Sequence, residues 1–221
     1  MSIPKGSTLG IIGNIGSGKS TLLDTLLRLY DPTEGTITLD GRDLKEYRLD
    51  ELRSAIGYVP QNAFLFSESI EDNIRFGNPD ATDEAIQNIA KKAVVHNNIV
   101  KFKEGYKTLL GERGVTLSGG QIQRVSIARA LIKDPQILLF DDCLSAVDTD
   151  TEEEILKHLK SLTKNKTTLI VSHRISSLKH ADQIVVFKNG KIVQQGQHAD
   201  LIEVKGYYRE LFEIQKANSS K

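Results

Sequence analysis

At 221 residues the chain has room for one substantial core but not for two domains of ordinary size. Its 39% apolar and 26% charged residues are a globular composition, which excludes an intrinsically disordered chain. Lys+Arg and Asp+Glu balance at 29 each, so no net basic field draws it to nucleic acid or anionic lipid. The longest runs of large apolar residues, such as Ile137-Leu138-Leu139-Phe140, fall far short of the roughly 20 that a membrane helix needs. Met1 to Gly6 lack the apolar stretch of a secretory signal. The single cysteine, Cys143, reads as a small buried filler, and a chain without an internal disulfide fits a reducing compartment.

In chain order, Thr8 to Ile12 predicts a buried strand running into Gly13. Lys19 to Tyr30 predicts an amphipathic helix, with apolar residues at 22, 23, 26, 27 and 29 and Asp31-Pro32 closing it. Further strands are expected at Thr36–Leu39, Ala55–Val59, Gln136–Phe140 and Thr167–Val171. Gln183–Phe187 and Ile192–Gln195 flank Asn189-Gly190, a hairpin signal because both turn positions favour positive φ. Between Ile70 and Leu131 helical patterning dominates, notably over Asp83–Val94 and Gly119–Ile132. The expected class is α/β: a mostly parallel sheet flanked by helices, with a helical subdomain at about 70–132 inserted in a core of about 1–69 and 133–216. The tail after about Lys216 is expected to fray.

Gly13-Asn14-Ile15-Gly16-Ser17-Gly18-Lys19-Ser20 matches G-x-x-x-x-G-K-[ST], between a buried-type strand and a helix start. Glycines there let successive N–H groups converge on phosphate oxygens, and the helix N-terminus adds partial positive charge. Lys19 supplies a charge for the β- and γ-phosphates of a nucleotide, and the Ser20 hydroxyl, followed by Thr21, suits Mg²⁺. Asp141 ends the apolar strand Ile137 to Phe140, at the sheet edge where open α/β folds bind ligands. Beside a phosphate loop it becomes the expected metal carboxylate.

Leu117-Ser118-Gly119-Gly120-Gln121, followed by Gln123-Arg124, resembles the signature of the ABC ATPase family, and the resemblance extends along nearly the whole chain. By itself this segment reads as an N-capped helix start able to hold an anion. The family resemblance implies a P-loop NTPase core and a head-to-tail dimer with a second ABC ATPase domain. ATP would lie between one subunit's Lys19 loop and the other's Ser118, Gly119, Gly120 and Gln121. Gln61, after the strand Tyr58-Val59-Pro60, resembles the glutamine that senses Mg²⁺ and the attacking water. Ser145-Ala146-Val147-Asp148 resembles the loop that crosses the dimer interface, and His173 the switch histidine that contacts the γ-phosphate. His96, His158, His180 and His198 lack such context. Glu152-Glu153-Glu154 reads as acidic charge in a helix's first turn, and Lys157 to Lys166 as a solvated face.

Phe66 to Ile74 and Gly111-Glu112-Arg113-Gly114 resemble exporter-type members. This implies that Phe64 to Asn73 and Glu112 face the transmembrane domain of an exporter, at the cytoplasmic face of the cell membrane. The sequence departs from the family twice. Asp142 stands where the family carries a glutamate general base; it is one methylene shorter, as in the less active subunit of heterodimeric exporters. Met1 to Ile12 hold no Phe, Tyr or Trp to stack on adenine, which implies a chain beginning inside the domain, without its first antiparallel strands. The implied function is ATP binding and hydrolysis powering export, with ATP and Mg²⁺ as ligands and no nucleic acid partner. A regulatory half-site with little turnover and a non-transport ABC ATPase are the alternatives.

Overall fold

The computed structural model describes residues 1–111, 115–145, 147–162 and 165–219, with the side chains of 149, 161, 162 and 219 left aside. Glu112, Arg113, Gly114 and Ala146, singled out above, lie outside the described residues. The strands are β1 (Thr8–Gly13), β2 (Thr38–Leu39), β3 (Arg42–Asp43), β4 (Ile56–Val59), β5 (Ile137–Asp141), β6 (Thr167–Val171), β7 (Gln183–Lys188) and β8 (Lys191–Gly196). The helices are α1 (Lys19–Leu26), α2 (Leu49–Ser54), α3 (Ile70–Arg75), α4 (Asp83–Lys92), α5 (His96–Ile99), α6 (Gly119–Ile132), α7 (Thr149–Leu162), α8 (His198–Glu203) and α9 (Tyr207–Ser219). Among the described residues, no helix is long and apolar enough to cross a membrane.

The chain divides into two compact units, one of Met1–Ile56, Gln136–Asp141 and Asn165–Lys221, the other of Gly57–Pro135 and Asp142–Lys164. The six-stranded sheet has the order β4-β5-β6-β1-β7-β8, and its strands β1, β5, β6, β7 and β8 lie in the first unit. β1 lies between β6 and β7, parallel to both, and β5 is parallel to β6. β8 is antiparallel to β7 and joined to it across Asn189 and Gly190 at φ 51° and 74°, the pair of positive values a tight hairpin turn demands. The mostly parallel sheet is the expected one. Its central strands are buried on both faces: Ile11, Ile12, Leu138, Leu139 and Val185 are fully enclosed. A cluster of Ile12, Ile175, Leu178, Ile184, Val186, Leu201 and Tyr208 seats α8 and α9 on the sheet, with Leu211 and Phe212 against it.

Two local expectations change. The helix expected over Lys19–Tyr30 stops at Leu26, because Arg28 takes φ 49°. Arg28 N–H then donates to the Thr25 carbonyl and Leu29 N–H to that of Asp24, closing the helix in a left-handed cap. The strand expected over Thr36–Leu39 forms only at Thr38–Leu39, and it pairs with β3 in a separate two-stranded ribbon rather than joining the main sheet. Asp40-Gly41, at φ 50° and 82°, is the turn, and that dipeptide was the overlooked signal.

In the second unit α6 packs against α3 and α4, and α7 against α4. Asn73, fully buried, binds the Phe66 N–H through its Oδ1 and donates to the carbonyls of Phe66 and Ser69. Arg129 of α6 completes this hub, donating to the Asn73 carbonyl and Oδ1 at 2.8 and 2.7 Å and to the Phe64 carbonyl at 2.8 Å. Burial pushes its guanidinium pKa down, a cost these three bonds offset. Glu152, read above as first-turn helix charge, is buried at 1% exposure within α7.

Candidate functional site

The loop after β1 is shaped by glycine at three positions. A Cβ on Gly13 would lie 2.2 Å from the Phe187 carbonyl oxygen of β7, so only glycine lets the loop leave the sheet there. Gly16, at φ 76°, faces open space, and Gly18, at φ 98°, caps α1 without a side chain. Asn14, Ile15, Gly16, Ser20 and Thr21 are exposed, whereas Ser17 and Lys19 are buried beneath them. Lys19 Nζ donates to the Gly13 and Asn14 carbonyls at 2.9 Å each, curling the ammonium under the loop. The Ser17 hydroxyl is buried without a hydrogen-bond partner.

Parallel neighbours end at the same sheet edge, so the order β5-β6-β1 brings three predicted residues to that edge. Asp141 is the last residue of β5, 4% exposed. His173 follows β6 by two residues, and Gly13 ends β1. A buried carboxylate at the sheet edge where the loop leaves β1 is the kind of group that can hold a cation. The Ser20 hydroxyl and the Asp141 carboxylate are hard-oxygen donors of the kind Mg²⁺ takes. Among the described residues no group of three or more His, Cys, Asp or Glu could hold a metal.

In the second unit, Gln61 is exposed and its backbone carbonyl accepts from Gln123 Nε2 at 3.3 Å. Ser118 and Gln121 form a reciprocal capping box at the start of α6: Gln121 N–H donates to Ser118 Oγ and Ser118 N–H to Gln121 Oε1. Ser118 and Gly119 remain exposed at that helix start, with Gly120 partly covered. Arg124 donates to the Gly120 carbonyl at 3.1 Å and to Asn98 Oδ1 at 3.1 Å, anchoring the turn. Asp142 is 8% exposed and sits at φ 44°, a left-handed conformation that Asp tolerates better than most side chains. Its carbonyl accepts from both the N–H and the hydroxyl of Ser145. Asp148 caps α7 through the Thr151 N–H at 3.0 Å, and hydrogen bonds from Thr151 hold its carboxyl below the usual range.

Two residues that sequence reasoning passed over bear on these positions. Gln123 lies within a quoted motif, but its touch on Gln61 spans a sequence distance no periodicity reports. Gln215, in α9, hydrogen-bonds the backbone on both sides of Arg174.

Comparison with known proteins shows the family. The family model described as ABC transporter matches residues 1–145. Over 210 residues the chain is 50% identical to an uncharacterized ABC transporter ATP-binding protein, YknU, of Bacillus subtilis, covering 95% of this chain and 36% of that protein. It is 45% identical over 215 residues to ABC transporter B family member 24, mitochondrial, of Arabidopsis thaliana, covering 97% of this chain and 32% of the relative. Among solved structures, a bacterial Atm1-family ABC exporter with ATP bound superposes with a TM-score of 0.92 at 42% identity, over 96% of this chain and 37% of that one. The chain thus spans about a third of the length of these relatives.

Proposed function

Since the chain belongs to the ABC transporter family, as its ATP-binding domain, we propose that it binds Mg-ATP on the Gly13–Thr21 loop, hydrolyses it, and so powers export of a substrate across a membrane. The observation that carries this reading is the loop itself: glycines at 13, 16 and 18, an exposed stretch from Asn14 to Gly16, and Lys19 buried and held by two loop carbonyls. Loop amides and the α1 N-terminus bind the phosphates, and Lys19 turns its charge from loop carbonyls to the β- and γ-phosphate oxygens. Ser20, Asp141 and Gln61 would hold Mg²⁺, which when bound neutralises phosphate charge. Asp142 orients and deprotonates the attacking water, and His173 contacts the γ-phosphate from the neighbouring strand end.

The exposed Ser118 and Gly119 at the start of α6 close a second subunit's site in a head-to-tail dimer. With Asp142 short by a methylene, this chain serves best as the weaker half of a heterodimer, completing its partner's site through Ser118 to Gln121. The transmembrane domain docks on the aromatic patch of Phe64, Phe66 and Phe76. Phe64 and Phe76 are each 65% exposed, and the Phe66 ring lies 5.4 and 4.8 Å from theirs. Asn73 lies buried behind that patch and shapes it.

Titration calorimetry with Mg-ATP tests the reading. Lys19→Ala removes a charge-assisted phosphate contact of about 1.5–3 kcal/mol, so affinity should fall roughly 10- to 150-fold. Unchanged affinity would overturn the assignment of the loop.

A further inference from the structure

α9 lays Tyr208, Leu211 and Phe212 against the cluster that also holds Ile175 and Leu178. Gln215 follows at the same helical spacing, so the inward stripe of the helix ends in a side-chain amide. That amide makes two hydrogen bonds to the segment after β6. Its Nε2 donates to the His173 carbonyl at 2.7 Å, and its Oε1 accepts the Ile175 N–H at 2.9 Å. Bonding a carbonyl and an N–H two residues apart needs a donor and an acceptor close together, which the primary amide of Gln offers on one planar group.

The other side of His173 is held by different means. Ser172 N–H donates to the Ile11 carbonyl of β1 at 3.1 Å, and Ser172 Oγ accepts the Arg174 N–H at 3.0 Å. Ile11 lies two residues before Gly13, so the backbone entering His173 is tied to the strand that carries the phosphate loop. The backbone leaving it is tied to α9. We propose that Gln215 is a positioning residue for His173, its amide fixing the peptide units on which His173 is presented to the γ-phosphate. α9 thereby becomes a determinant of turnover. This inference rests on the role given to His173 above.

The test compares wild type, Gln215→Leu, His173→Ala and the double variant, each as the 221-residue chain, by single-turnover hydrolysis and by ATP titration. A misplacement near 1 Å costs on the order of 100-fold, so Gln215→Leu should lower the hydrolysis rate by about 10- to 100-fold. ATP affinity should stay within about twofold, because the phosphate loop is untouched. In the His173→Ala background, Gln215→Leu should cause no further loss, since there is no imidazole left to position. Losses that multiply would show Gln215 acting elsewhere and overturn the proposal, as would a Gln215→Leu rate equal to wild type beside a slowed His173→Ala. A His173→Ala chain that hydrolyses normally would overturn the role of His173 itself, and the proposal with it. If Gln215→Leu fails to fold, Gln215→Glu carries the same cycle. It keeps the acceptor for Ile175 but turns a carboxylate on the His173 carbonyl, and the same loss is expected.

Discussion

Gly190 donates its backbone N–H to the Ser17 carbonyl at 3.0 Å, so the tip of the β7–β8 hairpin braces the phosphate loop from behind. Phe187, three residues earlier, blocks the space beside Gly13 with its carbonyl. The loop is therefore seated against β7 at its start and against the hairpin turn near its end.

This seating separates two glycines that the sequence motif treats alike. Gly13→Ala would press a methyl group to 2.2 Å from backbone and 2.9 Å from Ser17 Oγ, so the loop must shift. A stability loss of about 3 kcal/mol or more and a loss of ATP binding are expected. Gly16→Ala meets nothing within 4 Å and bears only the strain of φ 76°, about 1 kcal/mol. Urea denaturation with ATP titration reads both, and equal costs at the two positions would refute the packing argument.

Asp142 combines a short reach with a left-handed backbone. Asp142→Glu should raise turnover about tenfold or more by restoring that reach, while costing roughly 0.5–1 kcal/mol of stability, because Glu fits φ 44° less well than Asp. Asp142→Asn, comfortable at the same φ, should keep stability and lower an already slow rate only slightly. Were Asp142→Asn to abolish a robust wild-type rate, Asp142 would already be a competent base.

The His198–Tyr208 pair predicts a pH window for stability. His198 Nδ1 lies 2.8 Å from the Tyr208 hydroxyl; burial, then Lys179 and His180, hold the imidazole pKa below its usual 6.5. The unfolded chain therefore takes up the proton first, and stability should fall as pH drops through 6.5 toward the folded value. Burial pushes Tyr208 up to about 12 from 10, so on this side the unfolded chain loses its proton first. Stability should fall again as pH rises from 10 toward 12. Tyr106, beside His96 in the second unit, is likewise pushed up to about 12 and adds to the alkaline limb. Urea midpoints across pH should show the plateau between, and Tyr208→Phe should shrink the alkaline limb; an unchanged limb would count against Tyr208 as its source.

Val94 is a β-branched residue at φ 55°, the left-handed position that ends α4. Its N–H reaches the Lys91 carbonyl and the Val95 N–H that of Ala90, so the cap geometry fixes the conformation whatever the side chain. Val94→Gly should stabilise the chain by about 1 kcal/mol in urea titration, since relief of backbone strain outweighs the loss of a half-buried side chain. A clear destabilisation would mean that packing, not strain, governs this cap.

Wherever the physics is local, the order of residues alone determined the outcome. Gly119–Ile132 forms the helix its periodicity predicts, capped by Ser118 and Gln121 three residues apart. Thr167–Val171 is a strand to the residue, and Asn189-Gly190 turns the hairpin because both positions accept positive φ. The loop between β1 and α1 was equally legible, since its motif glycines Gly16 and Gly18 take the positive φ that such a turn needs. Tertiary structure alone decided which groups meet across the chain. That Gly13 must be glycine follows from a carbonyl of Phe187, and that Asn73 is a buried hub follows from Arg129. The Gln215 amide reaches His173 and Ile175 across about forty residues of sequence, once α9 has docked on the sheet. Such meetings depend on helix packing and strand order, which bring distant residues within 3 Å without leaving any period or spacing in the chain.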